Sequence, residues 1–413
     1  MNVRDSEVVA GLLQKAGYTL IDEPVEADVM IFNTCSVRQH AEDKVWSEIG
    51  RIAKGARRGS KQQAASCKTR EHANALTRKP IIGLIGCMAQ NYKEQIFERS
   101  PAVDFVAGPS DIDKIPKIIE RVTKSQGQCA SLPEGDKVTS RNLYELKIWE
   151  TDGQIRPEEI YHTGYYEDKE HVYVVISEGC ANSCSYCVVP YVRGALRNRN
   201  YEDILREIEE AIAKGITKIT LLGQNVNAYK SPGQCASLPE GNQVTRSQVN
   251  FRDLLKMVDE MKGLEEFSFI TSHPKDTTVE LFKAMAECGK LKKYLHLPVQ
   301  SGSDKILKMM NRGYTRRFYL DLADNYRKIV KDGALSTDIM VGFPGETEAD
   351  FQDTYNLIKE IRFESAYIFK YSPRPHTEVL KWDDDVPKQE KERRHKLILD
   401  LQKKISISKK TRC

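Results

Sequence analysis

Six short apolar or β-branched runs, each followed by a polar or Gly/Pro-rich turn, constrain the second part of this 413-residue chain more than any other feature. They are Val172 to Ile176, Lys218 to Leu222, Glu266 to Ile270, Tyr294 to Leu297, Ser336 to Val341 and Ala366 to Tyr371. Helical patterns separate them, so the runs read as parallel strands joined by crossover helices. Between the first two, Ile204, Ile208 and Ile212 recur every four residues and Gly215 follows as a stop, the pattern of an amphipathic helix. In a β/α barrel the loops after the strands converge on one face. The residues there are Glu178-Gly179-Cys180, Gly223-Gln224-Asn225, Thr271-Ser272-His273-Pro274, Gln300-Ser301-Gly302-Ser303, Gly342-Phe343-Pro344-Gly345-Glu346 and Tyr371-Ser372-Pro373-Arg374-Pro375. Each alone is ordinary turn chemistry. Their recurrence after every strand marks that face as the candidate active site.

The first of these loops carries Cys180, Cys184 and Cys187 in EGCANSCSYCVVPYVRG, a C-x3-C-x2-C triplet. Three thiolates are one short of the four that close a cubane iron–sulfur cluster, which leaves one iron open to an exogenous ligand. A zinc site would pair C-x2-C with a second such pair or with histidines, and none follows here. Disulfides fit poorly with ten irregularly spaced cysteines and no signal peptide.

A second, smaller α/β region ends near Lys124. Asp28 to Phe32 and Ile81 to Ile85 are its strand candidates, followed at once by Asn33-Thr34-Cys35-Ser36-Val37-Arg38 and Gly86-Cys87-Met88-Ala89-Gln90. Cys35 and Cys87 thus occupy equivalent strand ends, where open α/β sheets place ligands. Singly, either is as well explained as a small buried hydrophobe. As a matched pair they read as cluster ligands. Cys288 falls in a helical pattern and reads as packing, and Cys413 as an exposed tail.

Three segments break the pattern. Ser125 to Arg141 and Ser231 to Ser247 share the block GQCASLPEG, and Arg57 to Arg78 is a polar stretch with its own ASC. One copy 106 residues after another, between unlike flanks, is no solenoid repeat. All three read as surface insertions, which cost little loop-closure entropy, and Cys67, Cys129 and Cys235 as incidental thiols. The formal charge of +4 does not argue for a nucleic-acid partner, because Arg57 to Arg78 holds six basic residues against one acid. No stretch approaches the ~20 uncharged apolar residues of a membrane span, so a cytoplasmic location without membrane contact is expected.

With NTCSVR, GCMAQ, the triplet followed by VVPYVRG, then GQNVNAY, TSHP, LHLPVQSGS, DIMVGFPGETE and YSPRP in order, the chain resembles the methylthiotransferases among radical S-adenosylmethionine enzymes. VVPYVRG with GQNVNAY resembles the branch that makes 2-methylthio-N6-dimethylallyladenosine in tRNA. The resemblance implies a radical S-adenosylmethionine partial (β/α)6 barrel after an incomplete, doubly wound parallel N-terminal sheet. It implies two 4Fe-4S clusters and S-adenosyl-L-methionine. The cluster on Cys180, Cys184 and Cys187 would be catalytic, cleaving S-adenosylmethionine to a 5′-deoxyadenosyl radical. A second cluster on Cys35 and Cys87 would carry the sulfur that replaces the C2 hydrogen of N6-isopentenyladenosine beside the anticodon. Tyr186, Gly223, Gln224, Asn225, Gln300, Ser301, Gly345 and Glu346 are the implied cofactor-binding residues, with Arg193 a further polar contact. Glu346 and Arg193 read equally well as structural ion pairs, and Tyr186 as a core tyrosine. The implied partners are tRNA and an electron donor such as a flavodoxin or ferredoxin, with the chain a monomer.

The expected organisation is an N-terminal domain over 1–124 with an insertion at 57–78, insertion and linker over 125–170, the barrel over 171–385 with an insertion at 231–247, and a basic helix and tail over 386–413. Family members open with a strand ending in a GCQMN-like turn whose cysteine is the third auxiliary ligand; here Met1 to Glu7 resembles the tail of that turn and the helix after it. Without that strand, Val8, Val9, Leu12 and Leu13 are expected to lack cover. The family continues past the basic run Lys388 to Lys404 into a small TRAM-type β-barrel that helps hold tRNA. Here Lys391, Arg393, Arg394, Lys396, Lys403 and Lys404 are the residues left for RNA contact, though such a run reads equally as a solvated helix face. In SPRPHT, His376 stands where a glycine is usual.

Overall fold

The computed structural model describes residues 1–36, 42–52, 80–129, 147–151, 156–232 and 248–410. The three predicted insertions lie almost wholly outside them, as do the side chains of Cys67, Cys129, Cys235 and Cys413. The chain divides into two compact units. One comprises Asn2–Tyr165 with Tyr191–Arg193; the other comprises Met1, Tyr166–Pro190 and Gly194–Cys413.

The first unit is built on a parallel sheet in the order β1 (Val29–Thr34), β2 (Ile81–Gly86), β3 (Phe105–Ala107), β4 (Ile148–Glu150). Strand β2 is buried along its whole length, and Ile82 and Leu84 join Ile49, Met88, Ile96 and Val106 in the core. Gly83 has no alternative there, because a Cβ would press into the ring of Phe105. Strand β4 corrects the expected boundary: Ile148–Glu150 belong to this sheet, not to a linker. Three residues are too few for a periodic signal, and the strand is fixed by pairing with β3.

Helix α1 (Asn2–Lys15) is a second correction. Val8, Val9 and Leu13 are buried rather than bare, because the helix packs on Pro109–Lys114, on β1 and on the helix that begins at Ile115. A buried network pins it. Arg156 donates to Asp5 Oδ1 at 2.8 Å and Arg193 to Asp5 Oδ2 at 2.8 Å, while Arg4 pairs with Glu7 at 3.2 Å and donates to the Tyr161 carbonyl at 2.6 Å.

In the second unit, β5 (His171–Val175), β8 (Lys218–Leu222) and β9 (Glu266–Ile270) form one parallel sheet; β10 (Tyr294–His296), β11 (Ala334–Val341) and β12 (Ser365–Lys370) form another. The short antiparallel pair β6 (Ser177–Glu178) and β7 (Arg197–Asn198) follows β5. All six predicted runs are strands, displaced by no more than two residues at either end. Helix α2 (Tyr201–Ala213) is the predicted amphipathic crossover. The helices α3 (Phe251–Glu260), α4 (Val279–Glu287), α5 (Asp304–Met309), α6 (Arg316–Ile329) and α7 (Glu348–Ile361) complete the alternation. From α2 to α7 each begins on an Asn, Ser or Thr whose side chain accepts a backbone N–H of the first turn. Cys288 caps α4 at its C-terminus and is buried, as predicted for a packing residue.

Helix α8 (Lys388–Lys410) packs on β12 and α7, with Ile398 and Ile405 in the same core as the strands. The expected separate C-terminal segment is therefore part of this unit. Its cations are largely engaged: Lys391 with Asp384, Arg393 with Glu348 and Glu390, Arg394 with Glu346 and Glu390. Lys396, Lys403 and Lys404 are exposed. No described helix is long and apolar enough to cross a membrane.

Burial would raise the pKa of Asp5, but the guanidinium groups of Arg156 and Arg193 overcome it and hold the carboxyl well below the usual carboxylate range. A depressed folded-state pKa adds stability that is present above the unfolded value of about 3.9 and is lost as pH falls toward the folded one. Asp5→Asn, which leaves two buried guanidiniums without their anion, is expected to cost about 3–5 kcal/mol at neutral pH. In urea titrations the gap to the parent should narrow below about pH 4.

Candidate active site

The cysteine triplet sits on the loop after β6, held by backbone contacts that leave little freedom. Gly179 has φ +67, and a Cβ there would press into the carbonyls of Gly194 and Ala195. That close approach lets Cys180 N donate to the Gly194 carbonyl at 3.2 Å. Cys187 N turns back on the Cys184 carbonyl at 3.0 Å, Asn182 N donates to Cys180 Sγ at 3.4 Å, and Ser185 N donates to the Met310 carbonyl at 3.2 Å. The three thiols are half-buried and lie within electrostatic range of one another. Burial pushes the Cys180 thiol up and that of Cys187 to about 12, so both would bind iron only with release of a proton.

Among the described residues no three His, Cys, Asp or Glu side chains converge as ligands of a single ion. A cubane cluster differs in that each thiolate takes its own iron, which spaces the ligands more widely. The stronger test of fit lies around the triplet. Among the described residues, Ser177 Oγ, Asn225 Oδ1, Ser272 Oγ and His273 Nε2 are buried polar atoms with no protein partner, lying within a few residues of the ends of β5, β8 and β9. Atoms of Trp46, Asn91 and Gln402 are also buried without a partner, so it is the grouping of these four at strand ends, and not their rarity, that suits a ligand. His273 Nδ1 accepts from Lys275 N at 3.2 Å, which leaves Nε2 as the N–H donor. Burial, with the charges of Arg312 and Lys275, lowers its pKa to about 3 and keeps the ring neutral.

The predicted cofactor-binding residues divide. Asn225 is buried, its Nδ2 donating to Asp276 Oδ2 at 2.6 Å, which aims Oδ1. Gly223 is needed for closeness, since a Cβ would lie 2.5 Å from Ser177 Oγ. Gln224 Nε2 lies 3.0 Å from Met1 Sδ. Tyr186 is half-buried against Phe343 and receives Arg312 Nη1 at 3.4 Å on its hydroxyl. Gln300 has φ +73 and exchanges backbone bonds with Asp338 and Met340. Ser301 is turned to packing: its Oγ lies 3.2 Å from Thr354 Oγ1 and accepts Ser303 N. Gly345, with φ +77, donates its N–H to Asp385 at 2.7 Å. Glu346 Oε2 accepts from Gly342 N at 2.6 Å and Arg394 Nη1 at 2.7 Å; burial still pushes its carboxyl up, and Oε1 has no partner.

Two features escaped the sequence reading. One is Arg312, in the turn between Asn311 (φ +55) and Gly313 (φ +71), whose Nη1 lies 3.4 Å from Cys184 Sγ. The Asn-x-Gly spacing was the available signal. The other is the strand face turned away from the helices. It carries Tyr173, Thr220, Ser268, His296, Ser336, Asp338 and Tyr367 in register. Thr220 Oγ1 lies 2.7 Å from Ser268 Oγ, His296 Nδ1 2.9 Å from Ser336 Oγ, and His296 Nε2 3.5 Å from Asp338 Oδ2. Alternation within HVYVV, EFSFI and STDIMV was the signal, masked by the overall apolar character of the runs.

In the first unit, Cys35 follows β1 and Cys87 follows β2, and the residues before them, Thr34 and Gly86, are register partners. Cys87 Sγ accepts Arg193 Nε at 3.3 Å, while Arg193 Nη2 donates to Asn2 Oδ1 at 3.0 Å. Arg193 is thus the predicted ion-pair residue, and also a donor to a thiol.

The thiol triplet and the polar strand ends beside it lie within residues 174–358, which match the sequence profile of the Radical SAM superfamily, so the chain is of the radical S-adenosylmethionine class. A profile described as Uncharacterized protein family UPF0004 matches residues 1–108. The chain belongs to the tRNA-2-methylthio-N(6)-dimethylallyladenosine synthase family. It is 38% identical to the synthase of Carboxydothermus hydrogenoformans over 98% of this chain and 82% of that protein. It is 40% identical to the synthase of Clostridium novyi over 99% and 80% of the two chains. In fold it is similar to the cobalamin-dependent S-adenosylmethionine radical enzyme OxsB, with TM-score 0.52 and 14% identity over 99% of this chain and 54% of that one.

Gly179→Ala should distort the triplet loop, since the added methyl meets two carbonyls in a left-handed backbone position. Anaerobic reconstitution is expected to leave this variant about four irons per chain short of the parent, read by iron analysis.

Proposed function

We propose that Cys180, Cys184 and Cys187 hold the 4Fe-4S cluster that binds S-adenosylmethionine, and that Cys35 and Cys87 supply ligands to the auxiliary cluster. The reaction is methylthiolation at C2 of N6-isopentenyladenosine next to the tRNA anticodon. The observation that carries the assignment is the set of buried, unpartnered polar atoms on Ser177, Asn225, Ser272 and His273 beside the triplet. When bound, the triplet's cluster supplies the electron that cleaves the sulfonium and yields a 5′-deoxyadenosyl radical.

The chain's own groups bind and orient. The neutral His273 offers an N–H, Asn225 an amide oxygen fixed by Asp276, and Ser177 and Ser272 hydroxyls that donate or accept. These complement the amino, carboxylate and ribose groups of S-adenosylmethionine. The polar strand face around His296, Asp338 and Tyr367 supports placement of the adenine base, with Tyr367 half-exposed as a stacking surface. Lys396, Lys403 and Lys404 support phosphate contacts from α8. The reading takes a one-electron donor of the flavodoxin or ferredoxin class, a single chain as the working unit and the cytoplasm as its place. A one-cluster protein that cleaves S-adenosylmethionine, or a degenerate remnant without sulfur transfer, is not favoured.

Reconstituted without oxygen, the chain is expected to bind about eight irons, four at each site. Cys184→Ala should abolish reductive release of 5′-deoxyadenosine. Cys87→Ala should retain that release while losing 2-methylthio product on isopentenylated tRNA, measured by mass spectrometry of digested nucleosides. Full product from Cys87→Ala would refute the auxiliary assignment.

A further inference from the structure

Among the described residues Arg312 is a buried cation without the carboxylate partner that five other buried arginines have. Arg4 pairs with Glu7, Arg156 and Arg193 with Asp5, Arg199 with Glu207 and Asp203, and Arg394 with Glu346. Arg312 is just as deeply placed, at 4% exposure. Its Nη2 donates to the Pro298 carbonyl at 2.7 Å and its Nε to Tyr314 Oη at 3.0 Å; its Nη1 lies 3.4 Å from both Tyr186 Oη and Cys184 Sγ. The groups that bear most on its charge are two phenols and a thiol. A guanidinium taken out of water without an anion is strongly unfavourable. Tyr186 and Tyr314 present hydroxyl oxygens to it and not a carboxylate. An iron–sulfur cluster held at Cys184 would supply the missing negative charge.

We propose that Arg312 is the built-in counter-cation of the triplet's cluster, a positioning residue that holds the Cys184 sulfur by an N–H···S contact and eases the cluster's reduction. This rests on the assignment of that cluster to Cys180, Cys184 and Cys187. A fixed positive charge and an N–H···S contact both favour the more negative, reduced cluster, so they raise its reduction potential. The turn that carries Arg312 is tied independently to the same loop. Ser185 N donates to Met310 and Asn311 Nδ2 donates to the Ser183 carbonyl at 2.9 Å, so the cation is held in register with the thiols.

The test uses the full chain carrying Cys35→Ala and Cys87→Ala, so that only the triplet's cluster titrates. Iron content and an EPR-monitored redox titration are read for this parent, for Arg312→Gln and for Arg312→Lys. Expected are about four irons in each, a lower midpoint potential in Arg312→Gln with at least a tenfold loss of reductive 5′-deoxyadenosine release, and substantial recovery of both in Arg312→Lys. A fully loaded Arg312→Gln with the parent's potential overturns the proposal. Should Arg312→Gln fail to hold iron, Arg312→Lys decides: retained iron near the parent's potential supports a role of charge, whereas loss of iron there too overturns it. Absence of iron from the parent would instead overturn the cluster assignment beneath the proposal.

Discussion

Parallel pairing is the constraint on which the chemistry of both units depends. Strands that all run one way send all their C-terminal ends, and the loops that leave them, to the same side of the sheet. In the second unit those loops carry the triplet, Asn225, Ser272, His273, Gln300 and Glu346. In the first, β1 and β2 end on the register partners Thr34 and Gly86, directly before Cys35 and Cys87. An antiparallel arrangement of equal core quality would scatter the same residues to opposite edges. In the second unit Ile204 and Ile208 of α2 and Leu254, Leu255 and Val258 of α3 pack in one core with the strands' apolar residues.

The site is marked by what it leaves undone. Six helices in succession have their first turns capped, and the buried guanidiniums of Arg193 and Arg394 meet carboxylates. Beside the triplet the rule lapses: hydroxyls, an amide oxygen and an imidazole N–H are buried without partners. Each unmet group costs free energy on the order of 1–3 kcal/mol. A molecule bound at the strand ends would remove that deficit for four groups at once.

Much of this was legible in the sequence because it rests on local patterns. The six runs, the isoleucine spacing of α2 and the placing of Cys35 and Cys87 directly after their strands all follow from periodicity. What was hidden depends on pairing across the chain. Strand β4 is three residues long and exists because Ile148 meets Phe105. Val8 and Val9 find cover on Pro109–Lys114, a hundred residues away. Ser301, read as a cofactor contact, instead meets Thr354, and Gly302 follows because a Cβ would press on Asp353 and Thr354 at 2.5 and 2.6 Å. Such contacts leave no trace in composition or spacing.

The backbone at the strand ends extends the same logic. Thr271, after β9, has φ +76, and Gln300, after β10, has φ +73; His376, where the family usually has glycine, has φ +65. A left-handed conformation is unfavourable for such residues, most of all for β-branched threonine. These positions persist because neighbouring strands over-determine them: Val226 N donates to the Thr271 carbonyl, and Gln300 exchanges bonds with Asp338 and Met340 across β11. A loop held by its neighbours' backbones cannot relax without disturbing the next strand. The strained ends are therefore coupled to one another, so a group that engages Ser272 also bears on the loop carrying Asn225, because Val226 hangs from the residue before it.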